Sequence, residues 1–359
     1  MNKKKNLILF LVSFFFSLLI IEIFLQIIYF NKNSFKQTKA VDRYMIFEQG
    51  NVFKPYTNFF KYHPNKKILS EVFYKIDDKF IKEYSYEIIT NNFGLVQESN
   101  ISKNKKSILF LGDSFTEGQG ASARINYFGG KYKDFQLING GILGTGPEQF
   151  KNLENHISDN FEVSKVVVLY LGDDLRRSVF NINQKTIECL SNYQNCIGDE
   201  NFYGYPIRDN DPTDFLFKLE KFRIGYFKEK DSLKSLRRGI KNFFSQLYII
   251  KIPRNLLKNK FYSSKNEKII LNLSAIDDLI KKYNDDIFFI QLSQREEIVY
   301  EKKYETIYAE KFIKKRTNNH FYCDFNNDIS NFYEVDGHPN KKGYRSLYEC
   351  VLNIMESNI

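Results

Sequence analysis

Two kinds of apolar pattern divide the chain. Asn6 to Phe30 is a nearly unbroken apolar run, about 25 residues and long enough to span a bilayer with some tilt. Beyond residue 100 the apolar positions gather into short runs separated by stretches of helical spacing. Ser107–Leu111, Phe135–Ile138, Lys165–Leu171, Ile287–Leu292 and His320–Asp324 read as strands. Val166-Val167-Val168-Leu169-Tyr170-Leu171 lacks polar alternation, the pattern of a parallel strand covered on both faces. Helices are predicted near Ala121–Tyr132, Glu148–Ser158, Leu271–Tyr283, Tyr300–Lys315 and Tyr344–Met355. Strands alternating with helices predict an α/β fold, a three-layer sandwich with about five parallel strands, behind one N-terminal transmembrane helix.

The apolar run follows Lys3-Lys4-Lys5 and ends Ile28-Tyr29-Phe30-Asn31 without a small-residue cleavage site. That reads as an uncleaved signal-anchor rather than a signal peptide. The lysines place residues 1–5 in the cytoplasm and the bulk of the chain outside it, periplasmic or extracytoplasmic, as a single-pass inner-membrane protein. Glu22 and Gln26 are costly in lipid, and are expected to lie toward the outer end and snorkel, the alternative being contact with a partner helix. Residues 31–95 read as a tether, to about Val41, and a small β elaboration. The elaboration alternates in Tyr84-Ser85-Tyr86-Glu87-Ile88-Ile89 and carries no recognisable chemistry. Residues 96–359 form the α/β domain, interrupted at about 175–270 by an insertion that reads equally as a cap on the sheet's carboxyl edge or as a helical hairpin packed on the side.

Net charge is +10, but the lysines are scattered and no nucleic-acid module appears, so no nucleic-acid partner is inferred. The four histidines and four cysteines have no ligand spacing, so neither a metal nor a cofactor is expected. Four cysteines suit an oxidising exterior and allow three pairings. Proximity favours Cys189 with Cys196. Cys323 and Cys350 bracket a polar loop, and a bridge there ties strand to helix.

That loop carries chemistry. Asp336-Gly337-His338-Pro339-Asn340 sets an acid two residues from a histidine. A carboxylate there can fix the imidazole tautomer, and the imidazole can take a hydroxyl proton. The hydroxyl is offered by Gly112-Asp113-Ser114, an abrupt turn after the apolar run Ile108–Leu111. A serine at the carboxyl end of a parallel strand lies where open α/β sheets bind ligands. N–H groups at the turn can face a developing negative charge. Gly140, Gly141, Gly144 and Gly146 make a later loop whose backbone can approach substrate. Each motif alone also reads as a plain turn.

In this order the blocks Gly112–Ser114, Asn139–Gly146 and Asp336–Asn340 resemble the SGNH, or GDSL-type, hydrolases, over roughly Ile88 to the C-terminus. Thr90-Asn91-Asn92-Phe93-Gly94-Leu95 is similar to a lead-in of the membrane-anchored bacterial members. The resemblance implies the flavodoxin-like SGNH hydrolase fold. It implies Ser114 as nucleophile, His338 as base and then acid, and Asp336 as the orienting acid, with Glu334 as a fallback. It also implies an oxyanion hole of the Ser114 and Gly144 N–H groups and a third donor at Asp173. The family has asparagine there, and an ionised carboxylate cannot donate. Three functions follow: a serine esterase acting on an acylated envelope carbohydrate or a small ester, an O-acyltransferase with the same triad, or an inactive binding or assembly protein. Envelope biosynthesis proteins are the expected partners.

Overall fold

A computed structural model of the chain describes residues 3–30, 43–47, 52–56, 58–76, 79–121, 132–177, 205–206, 267–299, 302–323 and 328–358. They belong to two compact units. The first comprises Met1–Ala40 and Glu220–Lys265; its described part is helix α1, Lys3–Phe30. The backbone of α1 is helical over the whole stretch read as an anchor, while part of its side chains lies outside the described set. Among the described residues no helix is long and apolar enough to cross a membrane. Glu22 is buried, between exposed Ile21 and Ile23, and so does not reach out to water as a snorkelling side chain does.

The second unit, Val41–Leu219 with Asn266–Ile359, holds the rest. It begins with β1 (Arg43–Phe47), the short hairpin β2 (Phe53–Pro55) and β3 (Phe60–Tyr62), and the long hairpin β4 (Lys67–Ile76) and β5 (Lys79–Ile89). β4 pairs antiparallel with both β5 and β1. In β5 the alternation read from sequence is real: Tyr84, Tyr86 and Ile88 are buried while Ser85 and Glu87 are exposed. Thr90–Val96 then turns the chain toward the main sheet. Asn91 Oδ1 accepts from the N–H groups of Phe93 and Leu95, at 2.9 and 3.0 Å, closing a tight side-chain turn.

The main sheet follows: β6 (Ser107–Gly112), α2 (Ser114–Glu117), β7 (Gln136–Gly141), α3 (Pro147–Ser158) and β8 (Val163–Tyr170). After β9 (Tyr205–Pro206), which pairs parallel with β1, come α4 (Glu267–Tyr283), β10 (Ile287–Leu292), α5 (Arg295–Val299), α6 (Tyr304–Lys314), β11 (His320–Cys323) and α7 (Lys341–Asn358). The sheet order is β11-β10-β8-β6-β7, all parallel. Renumbered along the chain this is 2-1-3-4-5, the flavodoxin-like order, with its switch point beside β6.

α7 covers one face of the sheet, where Leu347, Val351 and Met355 pack in one cluster with Ile108, Phe110, Val167, Leu169, Ile290 and Leu292. α3 and α4 pack together and touch β6, β7 and β10. They are absent from that cluster and cover the opposite face, completing three layers. Cys323 in β11 is bonded to Cys350 in α7, tying strand to helix.

The boundaries depart from sequence in instructive places. β7 runs three residues past Ile138, because Asn139, Gly140 and Gly141 pair with Phe110, Leu111 and Gly112. The helix expected over Tyr300–Lys315 is α6, which starts at Tyr304 because its cap Lys303 has extended backbone; the short α5 precedes that range. The N-terminal sheet and the α/β core fall in the same compact unit, Val41–Leu219 with Asn266–Ile359. The Cys189–Cys196 pair, nearly all of the insertion expected at about 175–270 and most of the helix expected near Ala121–Tyr132 lie outside the described residues.

Candidate active site

The nucleophile turn is built by its neighbours. β6 ends at Gly112, where a Cβ would lie 1.9 Å from Thr116 Oγ1 and 2.5 Å from the Leu169 carbonyl, so only glycine lets α2 fold back so closely. Asp113 caps α2, its Oδ1 accepting from Phe115 N at 2.9 Å. Ser114 is the first residue of α2, so its N–H has no acceptor within the helix. Tyr344 of α7 props the turn from behind, its hydroxyl donating to the carbonyls of Ser114 (3.3 Å) and Gln119 (3.0 Å).

The structure brings Ser114, His338 and Asp336 together. Ser114 Oγ lies 2.8 Å from His338 Nε2, and His338 Nδ1 lies 3.0 Å from Asp336 Oδ1. The second contact is a close approach that does not form a hydrogen bond. Ser114 Oγ is also 3.3 Å from Asp113 Oδ2, a weaker alternative acceptor. The loop from Tyr333 to His338 closes on itself through Tyr333 N to His338 O at 2.8 Å and turns at Gly337, φ +76°. Asn340 fixes its far end, capping the N–H groups of Lys342 (3.0 Å) and Gly343 (3.1 Å). Glu334 is exposed and its carbonyl is held by Arg295, so Asp336 and not Glu334 faces the histidine.

The glycine loop stands across from the serine. Ile142 N donates to the Gly112 carbonyl at 3.1 Å, Leu143 N donates to Glu117 Oε2 at 2.6 Å, and Thr145 Oγ1 donates to the Ile142 carbonyl at 2.6 Å. These bonds leave Gly144 at the bend, with φ +72°. Among the described residues neither the Ser114 nor the Gly144 N–H has an acceptor in the protein, and both remain for an oxyanion. Glu117 itself is fully buried, and Tyr62 donates to its Oε1 at 3.1 Å. Burial pushes its carboxyl up to about 8; the Leu143 and Tyr62 bonds oppose that push and the Asp113 charge adds to it.

Asp173 occupies a different role from the third donor. Its Oδ2 accepts from Lys303 Nζ at 3.2 Å and its Oδ1 is paired with Arg176. Burial favours the neutral acid, but Lys303 and Arg176 outweigh it and hold the carboxyl below its ordinary range. Asp173 is therefore an ion-paired anion, without a proton to donate to an oxyanion. Beside it, Arg177 bridges two buried acids: Nη1 is 3.0 Å from Asp113 Oδ2 and Nε is 3.5 Å from Asp174 Oδ1. Burial and the Asp113 charge push the Asp174 carboxyl well up, with Arg177 opposing them.

Several residues that shape the site carried no motif. Glu117 follows the Gly112-Asp113-Ser114 turn by three residues yet has no family role in sequence terms, and Arg177 follows the expected asparagine position by four. Tyr84 and Glu83 come from the elaboration where no chemistry was read, and both reach the Asp336 loop. Periodicity marks Tyr84 only as an inward-facing strand residue. No cluster of metal-ligating side chains exists among the described residues.

No family model and no curated protein matches the chain. Similar solved structures include a lipolytic G-D-S-L family protein from Veillonella parvula, 11% identical, covering 70% of this chain and 98% of its own, with TM-score 0.34. A lipase/acylhydrolase from Enterococcus faecalis is 12% identical, covering 70% and 95%, with TM-score 0.34. A catalytic mutant of Axe2, an acetylxylan esterase from Geobacillus stearothermophilus, is 13% identical, covering 71% and 95%, with TM-score 0.35. The chain is similar to the SGNH-type hydrolases in its five-stranded parallel sheet and in the Gly112–Ser114 and Asp336–Asn340 blocks that meet at Ser114 and His338.

Proposed function

We propose that this chain is a membrane-anchored, extracytoplasmic serine esterase of the SGNH type, acting on O-acyl esters of an envelope carbohydrate or on a small ester. The observation that carries the chemistry is the Ser114 Oγ to His338 Nε2 contact of 2.8 Å with Asp336 beside Nδ1. His338 takes the hydroxyl proton as Oγ attacks the acyl carbonyl. The carbonyl oxygen becomes an anion that the Ser114 and Gly144 N–H groups can hold. His338 then returns the proton to the leaving alkoxide, and water repeats the steps on the acyl-enzyme. The anchor rests on the apolar run 6–30 behind Lys3–Lys5, and the carbohydrate ester on the motif resemblance and an extracytoplasmic address.

A fluorophosphonate probe on the full-length chain in detergent tests the reading. Labelling should map to Ser114, vanish in Ser114→Ala, and fall at least about a thousandfold in rate in His338→Ala. Labelling that survives Ser114→Ala sinks the nucleophile assignment. An unlabelled wild type supports the inactive scaffold instead. With an acetylated glycan and an unacetylated acceptor, acetate release identifies the esterase; transfer to the acceptor identifies the acyltransferase.

A further inference from the structure

We propose that Tyr84, on β5 of the N-terminal sheet, is a positioning residue for the catalytic acid, and that Glu83 and Gln119 complete the seat in which Asp336 is held. The inference rests on the triad reading above and deepens it.

Asp336 has no regular structure to hold it. It sits on an irregular loop that turns at a positive-φ glycine, and its contact with the histidine is not an aligned hydrogen bond. Something else must set the carboxylate's direction. The Tyr84 hydroxyl donates to Asp336 Oδ2, the oxygen turned away from His338. The same hydroxyl accepts from Gln119 Nε2 at 2.7 Å, and that amide is 3.5 Å from Asp336 Oδ2. The donors therefore form a chain: Gln119 orients the tyrosine hydroxyl, whose one proton is left to point at the carboxylate.

Glu83, the preceding residue on β5, grips the loop backbone. Its carboxylate accepts from Val335 N at 2.7 Å and Asp336 N at 3.1 Å. The Tyr84 ring stacks on Tyr333 at 4.2 Å between centroids, and the Tyr333 hydroxyl donates to the Gly120 carbonyl at 2.7 Å. Tyr84 is buried, with 6% of its surface exposed, so its hydroxyl is held by these partners rather than by bulk water. Tyr84 and Asp336 are 252 positions apart, and the contact serves no strand pairing. It joins the N-terminal sheet to the catalytic loop at the carboxylate itself.

The test measures the second-order rate at which a fluorophosphonate labels Ser114 in the full-length chain. In that step the Oγ–P bond forms, the P–F bond breaks, fluoride leaves and the proton passes to His338. Tyr84→Phe keeps the stacked ring and removes one hydrogen bond to a charged group, and should slow labelling by about tenfold to a hundredfold while thermal unfolding stays cooperative. In an Asp336→Ala background the same change should have no further effect, because the group it positions is gone. Equal slowing in both backgrounds, or a folded Tyr84→Phe that labels at the wild-type rate, overturns the proposal while the triad stands. A wild type that does not label overturns the triad reading and this proposal with it. If Tyr84→Phe does not fold, Glu83→Gln carries the same cycle against Asp336→Ala, with the same two outcomes.

Discussion

A carboxylate beside a forming oxyanion obstructs the reaction only if it points there, and Asp173 is held by Lys303 and Arg176 instead. Asp173→Asn should therefore change esterase turnover by less than about twofold, against the hundredfold to thousandfold that a true oxyanion donor commands. It should lower stability by no more than about 1 kcal/mol, because the pair is partly exposed and screened. The carboxyl is held below its ordinary range, so its contribution is present at neutral pH and is lost as pH falls through that lowered value. Turnover on a model acetyl ester, with urea unfolding of both forms, checks this; a large gain in rate would return Asp173 to the oxyanion site. Glu117 has the opposite sign. Its carboxyl titrates at about 8 in the fold against 4.5 when unperturbed, so the folded state holds a proton that the unfolded chain has lost. Stability should fall as pH rises from about 4.5 to about 8, and Glu117→Gln should flatten that fall. Thermal unfolding of both proteins across that range decides it, and parallel curves would refute the buried neutral acid.

Local pattern announces elements whose packing is uniform. β10 was legible to the residue because all six of its positions are buried in the sheet. β7 was not, because strand pairing carries it into glycines that propensity assigns to a loop. A Cβ at Gly141 would lie 2.2 Å from Glu117 N, so the glycine serves the approach of α2 rather than a turn. The Ser114, Asp336 and His338 blocks were legible because three short motifs stood in a recognisable order. Their supports were not: Tyr84 meets Asp336, and Lys303 meets Asp173, across 252 and 130 positions, and no local period encodes such contacts. The bridge from β11 to α7 was legible from bracketing alone, and its loop of 27 positions gives it weight. In the chain-entropy account a loop of that length stabilises by about 3–4 kcal/mol. Cys350→Ser should lower the urea unfolding free energy by that amount, and the wild type in reductant should match it. Loss of less than about 1 kcal/mol would mean the bond restrains little in the unfolded chain.

At the scale of the molecule, the hydrolase-like unit includes the N-terminal sheet. Tyr62 of the β2–β3 hairpin donates to Glu117, which accepts from Leu143 of the glycine loop, and Tyr84 of β5 donates to Asp336, so two separate N-terminal strand pairs reach the residues around Ser114. The proposed action on envelope esters requires that this unit lie outside the cytoplasm. Charge supplies the orientation: Lys3, Lys4 and Lys5 stand together before the apolar run, whereas Lys32, Lys36 and Lys39 after it are spread singly along the polar tether. Basic residues resist translocation, so the lysine head is expected to stay inside and the chain beyond Asn31 to cross. A phosphatase reporter that matures only outside the cytoplasm, fused after Val41, should be active. Moving the charge by Lys3→Glu, Lys4→Glu and Lys5→Glu together should lower that activity at equal expression. A stable but inactive wild-type fusion would place the triad in the cytoplasm and remove the envelope ester as its substrate, while leaving the chemistry of Ser114 and His338 untouched.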